Sequence, residues 1–441
     1  FDSFEATNDR PTLVVVHSRI AYGAPTKEGT AGAHGAPLGD EEIAGAKKFY
    51  GLDPEKKFAV DDDVYALFNE NVGKRGAQLA DEWYAKYAEY AKAYPEEAKE
   101  LDAIFAHKLP ENWDVALEAF PADEKGLASR ASSGKVLNQL AAGIPWLVGG
   151  SADLAPSNNT ALKDPSYGDF SAEKPGRNLH FGVRENAMGA ITNGLVLSGL
   201  RGYCATFFVF ADFLRPMIRL AALMEIPTLY VFTHDSIGVG EDGPTHQPIE
   251  HLAALRAIPN LAVFRPADAN EVSESYRAIM ALDKTPSVIV LTRQNLPTLD
   301  RERYASASGV AKGAYVLSDC EGTPDVLLLG TGSEVSLCLA AQGLLAEQGV
   351  KARVVSVPCF ELFERQSQEY RDSVLPPTVK ARVGVELGVE MGWSKYLGDA
   401  GRFLGMNSFG DSAPAGVLMR HFGITAEHAV ELAKESIAAA R

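Results

Sequence analysis

Cysteine is scarce in this chain. Four occur in 441 residues, Cys204, Cys320, Cys338 and Cys359, and no two form a CxxC pair or stand at zinc-ligand spacing. That excludes a disulfide-built scaffold and a cysteine metal centre, and it reads as four free thiols in a reducing compartment. Long apolar runs are missing too: nothing approaches the roughly 18 residues of a bilayer-crossing helix, so no membrane partner is expected. The opening Phe-Asp-Ser-Phe-Glu lacks the basic and apolar regions of a signal peptide and reads as internal to a longer chain. The expected location is the cytoplasm, with a plastid left open. Basic residues are outnumbered, 42 Lys and Arg against 58 Asp and Glu for a net charge of −16, which argues against a nucleic-acid surface while leaving room for a local basic pocket. No GxSxG, HExxH or GxxxxGK[ST] occurs, which argues against serine hydrolases, zinc proteases and P-loop enzymes.

What is present is a globular composition, 46% hydrophobic and 23% charged, long enough for two to four domains. A strand is expected at residues 12–16, followed by a Gly- and His-rich stretch to 38. In residues 75–124, Leu79, Trp83, Tyr87, Tyr90 and Tyr94 recur at helical spacing and predict a helical connector with one packed apolar stripe. From 125 to 318, apolar strand runs ending near 148, 232, 264 and 291 alternate with helical stretches, the pattern of a parallel sheet covered on both faces. Residues 319–441 repeat it, with strands near 326–329, 353–357 and 382–386. The fold class is therefore α/β, with two doubly wound, mainly parallel-sheet domains. The Gly330-Thr-Gly-Ser333 turn begins like a dinucleotide site, but Val335 replaces the third glycine, so it reads as a structural turn.

The densest chemistry lies in residues 233–248, where His234, Asp235, Glu241, Asp242 and His246 stand among Gly238, Gly240 and Gly243, directly after an apolar strand. A loop at the carboxyl end of a buried strand is where open α/β sheets place ligands. Gly238-Val-Gly-Glu-Asp-Gly-Pro-Thr-His-Gln-Pro248 closely resembles a signature of transketolases, thiamine-diphosphate enzymes. Similar stretches follow the family's order in Gly149-Gly-Ser-Ala-Asp153, Val183-Arg-Glu-Asn-Ala-Met-Gly189, Arg265-Pro-Ala-Asp-Ala-Asn270 and Thr292-Arg-Gln-Asn295.

The resemblance implies a division into a carboxy-terminal remnant of the diphosphate-binding domain at 1–74, the connector at 75–124, a pyrimidine-binding domain at 125–318 and a carboxy-terminal domain at 319–441. The remnant would come from a third α/β domain. It implies cofactor contacts from Asp153, Glu185, Phe207, Phe210 and Phe213, with Glu185 sharing a proton with N1′ of the aminopyrimidine. It further implies a phosphate clamp of Arg130, Ser157, His234 and Arg293, sugar-hydroxyl contacts from Asp242 and His246, and His34 near the reacting carbon. Catalytic roles fall to Glu185, His34, His234 and His246. Two departures stand out: Asn186 where the family commonly has His, and Phe213 where Tyr is common. By themselves, Glu185 reads equally as a helix-terminal acid, each arginine as a surface residue, and the three phenylalanines as the core face of a helix.

The activity so implied is reversible transfer of a two-carbon ketol unit from a ketose phosphate to an aldose phosphate through a thiamine-diphosphate carbanion, in a homodimer with Mg²⁺ or another divalent cation. The Gly-Asp-Gly motif that binds metal and diphosphate in the family does not occur in these 441 residues, so no metal ligand is assigned and the chain alone is expected to be inactive. The alternatives are a non-catalytic or half-site subunit that needs a partner chain, and a related thiamine-diphosphate enzyme such as deoxyxylulose-phosphate synthase.

Overall fold

The computed structural model describes residues 1–441, which form two compact units, Phe1–Pro95 and Glu96–Arg441. The first unit is helical, with its longest elements at Asp40–Phe49, Asp62–Phe68 and Arg75–Ala93. The strand expected at residues 12–16 does not form: Leu13 and Val16 are 87% and 75% exposed, and this unit contains no strand to pair with them. β-Branched residues favour a strand only where a neighbour completes the hydrogen-bond ladder. The aromatic stripe also differs from expectation. Leu79, Trp83, Tyr90 and Tyr94 are exposed, and the rings stack along the helix surface, Trp83 on Tyr87 at 5.2 Å and 2° and Tyr90 against Tyr94 at 5.2 Å. Side chains four apart meet each other before they meet a core.

The second unit contains thirteen strands: β1 Asp123–Ala128, β2 Leu147–Ser151, β3 Asn178–His180, β4 Arg201–Phe207, β5 Leu229–Thr233, β6 Ala262–Phe264, β7 Ser287–Leu291, β8 Asn295–Thr298, β9 Tyr315–Ser318, β10 Val326–Gly330, β11 Ala352–Ser356, β12 Arg382–Val385 and β13 Arg402–Leu404. Six form an all-parallel sheet in the order β3-β2-β4-β5-β7-β6. Its central strands are buried almost throughout and carry continuous apolar runs because both faces are covered. Tyr203, Ala205, Leu229 and Val231 point into a core with Val136, Leu140 and Tyr276. Their neighbours Cys204, Tyr230 and Phe232 point the other way, onto Met188, Leu214 and Ile218. This is the period-two alternation of a pleated strand. The register pairs Phe207 with Thr233 and Thr233 with Leu291, so the carboxyl ends of β4, β5 and β7 share one edge. A second sheet, β13-β12-β10-β11-β9, is parallel except for β9, and β1 pairs with β8 as a separate antiparallel ribbon.

A buried ionic network fastens these two sheets together. Arg265, fully buried after β6, donates to Asp235 Oδ2 from Nε at 3.2 Å and from Nη2 at 2.7 Å. It also reaches Thr331 Oγ1 at 2.9 Å and the Glu334 carboxylate. Thr331 in turn donates to Glu386 at 2.7 Å, which is held by both forks of Arg256 at 2.7 and 2.8 Å and by Trp393 Nε1 at 3.0 Å. Desolvation works against the Arg265 guanidinium, but Glu334 and Asp235 outweigh it and keep it protonated. The Gly330-Thr-Gly-Ser333 turn thus has a structural task. Gly332 has φ of +53°, and a Cβ there would lie 2.7 Å from Arg265 Cζ, so the turn admits the guanidinium only as glycine.

Candidate functional site

The carboxyl edge of the six-stranded sheet gathers the loops that carry the site, as the ligand rule for open α/β sheets anticipates. His234 follows β5 and is 3% exposed. Its φ of +63° lies in the left-handed region, a conformation that costs a non-glycine residue on the order of 1 kcal/mol or more and that recurs where a side chain is aimed for function. Its surroundings hold it there. Asp235 is clamped by Arg265, and Thr233 Oγ1 accepts from Asn158 Nδ2 at 2.7 Å while lying 2.9 Å from His234 Nδ1. The Thr233 hydroxyl, which accepts from Asn158, can give its own proton to Nδ1, and in that tautomer the imidazole proton is on Nε2.

Burial, with the nearby charges of Arg130, Arg293 and His246, pulls the His234 pKa down to about 3. The ring is neutral in the folded protein at any physiological pH, whereas an unfolded histidine takes up a proton near 6.5. The unfolded state therefore binds more protons below that value. This group's contribution to stability is complete above pH 6.5 and is lost as pH falls from about 6.5 towards 3. Its imidazole resonances are expected to stay constant in an NMR titration from about pH 8 to pH 5, and a midpoint within that range would show that the ring is not held neutral.

Arg130 lies in the first turn of the helix Ser129–Gly143. Its Nη1 donates to the carbonyl of Ser157 at 2.8 Å, and its backbone N–H meets Thr292 O at 3.4 Å. Arg293 follows β7 and donates to Val239 O at 3.3 Å. Desolvation lowers the pKa of Arg130 and the charge of Arg293 lowers it further. Neither guanidinium forms a salt bridge with a carboxylate. Two cations held by carbonyl groups near a neutral histidine are donors from which an anion could accept.

Beside this cluster stands an aromatic wall. Phe207 ends β4, Phe210 closes the turn Phe208–Phe210, and Phe213 sits in the helix Ala211–Leu223, so the three do not share one helix face. Phe207 and Phe210 stack at 6.0 Å and 13°, and Phe207 lies 3.7 Å from the His234 ring. His246 meets Phe210 edge-on at 5.8 Å. Phe213 is farther out, 6.4 Å from Phe210 and 62% exposed; its carbonyl accepts a 3.4 Å contact from Asn186 Nδ2. Glu185 opens the helix Glu185–Leu197, is 9% exposed, and makes one long contact, 3.5 Å from Thr206 Oγ1.

Arg130, Ser157, His234, His246, Arg293, Phe207 and Phe210 are therefore brought together by direct or electrostatic contact. Asp153, with φ of +61°, and Asp242 are exposed and make no side-chain hydrogen bond or ion pair with that group. His34 lies in the first unit, just after the turn Ala31–Ala33. Sequence reasoning gave no role to Asn158, Thr233 or Arg265, although they set the His234 geometry. Gln247 was missed as well: its Nε2 ties Gly240 O to Asp411 O at 2.9 Å each. Residues of ordinary type at separations of 30 to 164 positions leave no local signal.

Three family descriptions match the chain in succession. They are "Transketolase, thiamine diphosphate binding domain" over residues 2–110, "Transketolase, pyrimidine binding domain" over 125–298, and "Transketolase-like TK C-terminal domain" over 313–425. A transketolase of Mycobacterium tuberculosis is 49% identical over 98% of this chain and 64% of its own length. A Pichia stipitis transketolase solved with sedoheptulose 7-phosphate superposes with a TM-score of 0.90 at 41% identity, over 99% of this chain and 64% of that one. The Leishmania mexicana transketolase gives 0.88 at 43% identity, over 98% and 63%. The chain belongs to the transketolase family, and it spans about 64% of the length of the curated relative.

Proposed function

We propose that this chain supplies the pyrimidine-binding and phosphate-binding parts of a transketolase site, acting on ketose and aldose phosphates with thiamine diphosphate and a divalent cation. On this reading residues 125–318 bind the pyrimidine, 319–441 form the carboxy-terminal domain, 1–74 are the carboxy-terminal remnant of the diphosphate-binding domain, and 75–124 are a helical connector. The observation that carries the proposal is the pair Arg130 and Arg293, neither of which forms a salt bridge with a carboxylate, with burial and then the charge of Arg293 lowering the Arg130 pKa. A terminal phosphate is the dianion that would satisfy both, and neutral His234 would donate its Nε2 proton to a phosphate oxygen.

The residues present also fit the cofactor. Phe207 and Phe210 offer a flat aromatic wall suited to a heteroaromatic ring, and Glu185 is a buried carboxyl whose one long contact leaves it available to a ring nitrogen. When bound, thiamine diphosphate supplies the nucleophile and the electron sink. The protein's part is to hold the pyrimidine against this wall, to share a proton between Glu185 and N1′, and to orient sugar hydroxyls through Asp242 and His246, with Asp153 as a further contact. A homodimer is favoured by the exposed apolar residues Ile191, Leu197, Phe213, Leu220 and Leu223 on two helices that pack together through Asn193 and Met217.

Arg293→Ala is expected to raise KM for phosphorylated sugars about ten- to a hundredfold, the equivalent of the roughly 1.5–3 kcal/mol of a lost charge-assisted hydrogen bond. KM for the unphosphorylated donor hydroxypyruvate should hardly change. Steady-state kinetics with both donors, on a version of the protein complete enough to turn over, decides the matter, since equal losses would make Arg293 a structural residue.

A further inference from the structure

Against Phe208, on the face of the six-stranded sheet that packs on Leu214 and Ile218, one histidine is buried without a hydrogen bond. His251 opens the short helix His251–Arg256 and is 6% exposed. Neither ring nitrogen has a hydrogen-bond partner. Phe208 packs on its ring at 5.5 Å and fixes its plane. Each nitrogen instead faces a carboxylate from slightly too far away, Nε2 at 3.5 Å from Asp212 Oδ2 and Nδ1 at 3.7 Å from Glu250 Oε2. An N–H···O bond would close to about 2.7–3.2 Å. Two ligands bound at 2.0–2.1 Å to one tetrahedral ion stand about 3.3 Å apart, close to the 3.5 Å between Nε2 and Asp212 Oδ2; an ion there would use Nε2 alone, with the exposed Glu250 side chain swinging in as the third ligand. One ligand atom from each of the three residues lies within 4.8 Å of the others. Both carboxylates open to solvent, at 64% and 55% exposure, which gives an ion a way in and leaves a coordination position for water.

We infer that Asp212, Glu250 and His251 form a binding site for a divalent transition ion of the zinc class, distinct from any ion that accompanies the cofactor. One imidazole nitrogen and two carboxylates are a donor set that such ions accept and that Mg²⁺, which prefers oxygen, does not favour. The ion would join the helix Ala211–Leu223, which carries Phe213, to the segment that follows the His246 loop. The site would thus lock the aromatic wall to the substrate loop without touching substrate.

The test uses the untagged 441-residue chain, stripped with a chelator and titrated with Zn²⁺ in excess Mg²⁺ by calorimetry. Co²⁺ serves as the spectroscopic probe. One equivalent of Zn²⁺ should bind and raise the melting temperature, and Co²⁺ should give visible bands without a thiolate charge-transfer band. His251→Gln, and the milder surface change Glu250→Gln, should each weaken binding by at least about tenfold, the lower end of what even outer-shell changes cost. Absence of binding, binding unaltered in Glu250→Gln, or a thiolate band would each overturn the assignment. The site stands independently of the proposed activity, because none of these measurements requires turnover.

Discussion

Arg265→Met is expected to destabilise the unit Glu96–Arg441 by about 3–5 kcal/mol, the range for removing one partner of a buried ion pair. The reason lies in what remains. Asp235 and Glu334, 1% and 2% exposed, would keep two carboxylates in a dry interior without the guanidinium that serves both. Methionine fills the volume but satisfies neither. Arg265→Lys should retain part of the stability, because an ammonium keeps the charge but cannot donate along both edges of a planar fork. Equilibrium unfolding in urea, followed at Trp393, whose indole donates to Glu386 in the same network, reads the loss directly. A deficit below about 1 kcal/mol, the level of a surface pair, would mean that the network is replaceable and that Asp235 is held by something else. The variant has a second expected consequence. Asp235 neighbours His234, so releasing it should let His234 leave its left-handed conformation and approach the titration of an ordinary histidine, visible by NMR.

How much of this was legible in the sequence depended on how far apart the cooperating residues lie. The parallel strands could be read because burial on both faces demands continuous apolar runs, and β5, β7 and β10 fall within one residue of expectation. The helix at Glu185 begins where its small and apolar composition begins. Residues 12–16 have the same local composition as β5 and form no strand, since a ladder partner is not a property of the segment itself. The three phenylalanines at spacing three suggested a helix face, yet they fall on a strand end, a tight turn and a helix. Spacing alone cannot tell a chain that turns from one that continues. The site was legible as an inventory, not as a mechanism. His234, Arg130 and Arg293 could be named, but the neutrality of His234 depends on burial and on two guanidiniums that arrive from a helix and from the loop after β7. The Arg265 network joins positions 235, 265, 334 and 386, and none of them is unusual where it stands.

Glu185→Gln is the substitution expected to affect the chemistry most. The carboxyl opens a helix against the floor of the aromatic wall, is 9% exposed, and has only the 3.5 Å contact with Thr206 Oγ1 to orient it. Glutamine has the same shape, so the packing of the helix Glu185–Leu197 should survive. The structural loss should be limited to a charge at the helix N-terminus, about 0.3–1 kcal/mol. What glutamine cannot do is share a titratable proton with a ring nitrogen. If Glu185 keeps that proton available to N1′ of the aminopyrimidine, removing it should slow hydrogen exchange at the cofactor's C2 by about 10²–10⁴-fold, the usual weight of a general acid–base group. NMR of exchange into deuterated solvent, on a version of the protein complete enough to turn over and loaded with thiamine diphosphate and Mg²⁺, measures this step before any sugar is added, so defects in the phosphate clamp cannot contribute. Glu185→Asp provides the complementary reading: it retains the acid but withdraws it by one methylene, and exchange should fall to an intermediate rate. Exchange unchanged in Glu185→Gln, in a variant whose melting temperature is also unchanged, would return Glu185 to the role of an ordinary helix-terminal acid.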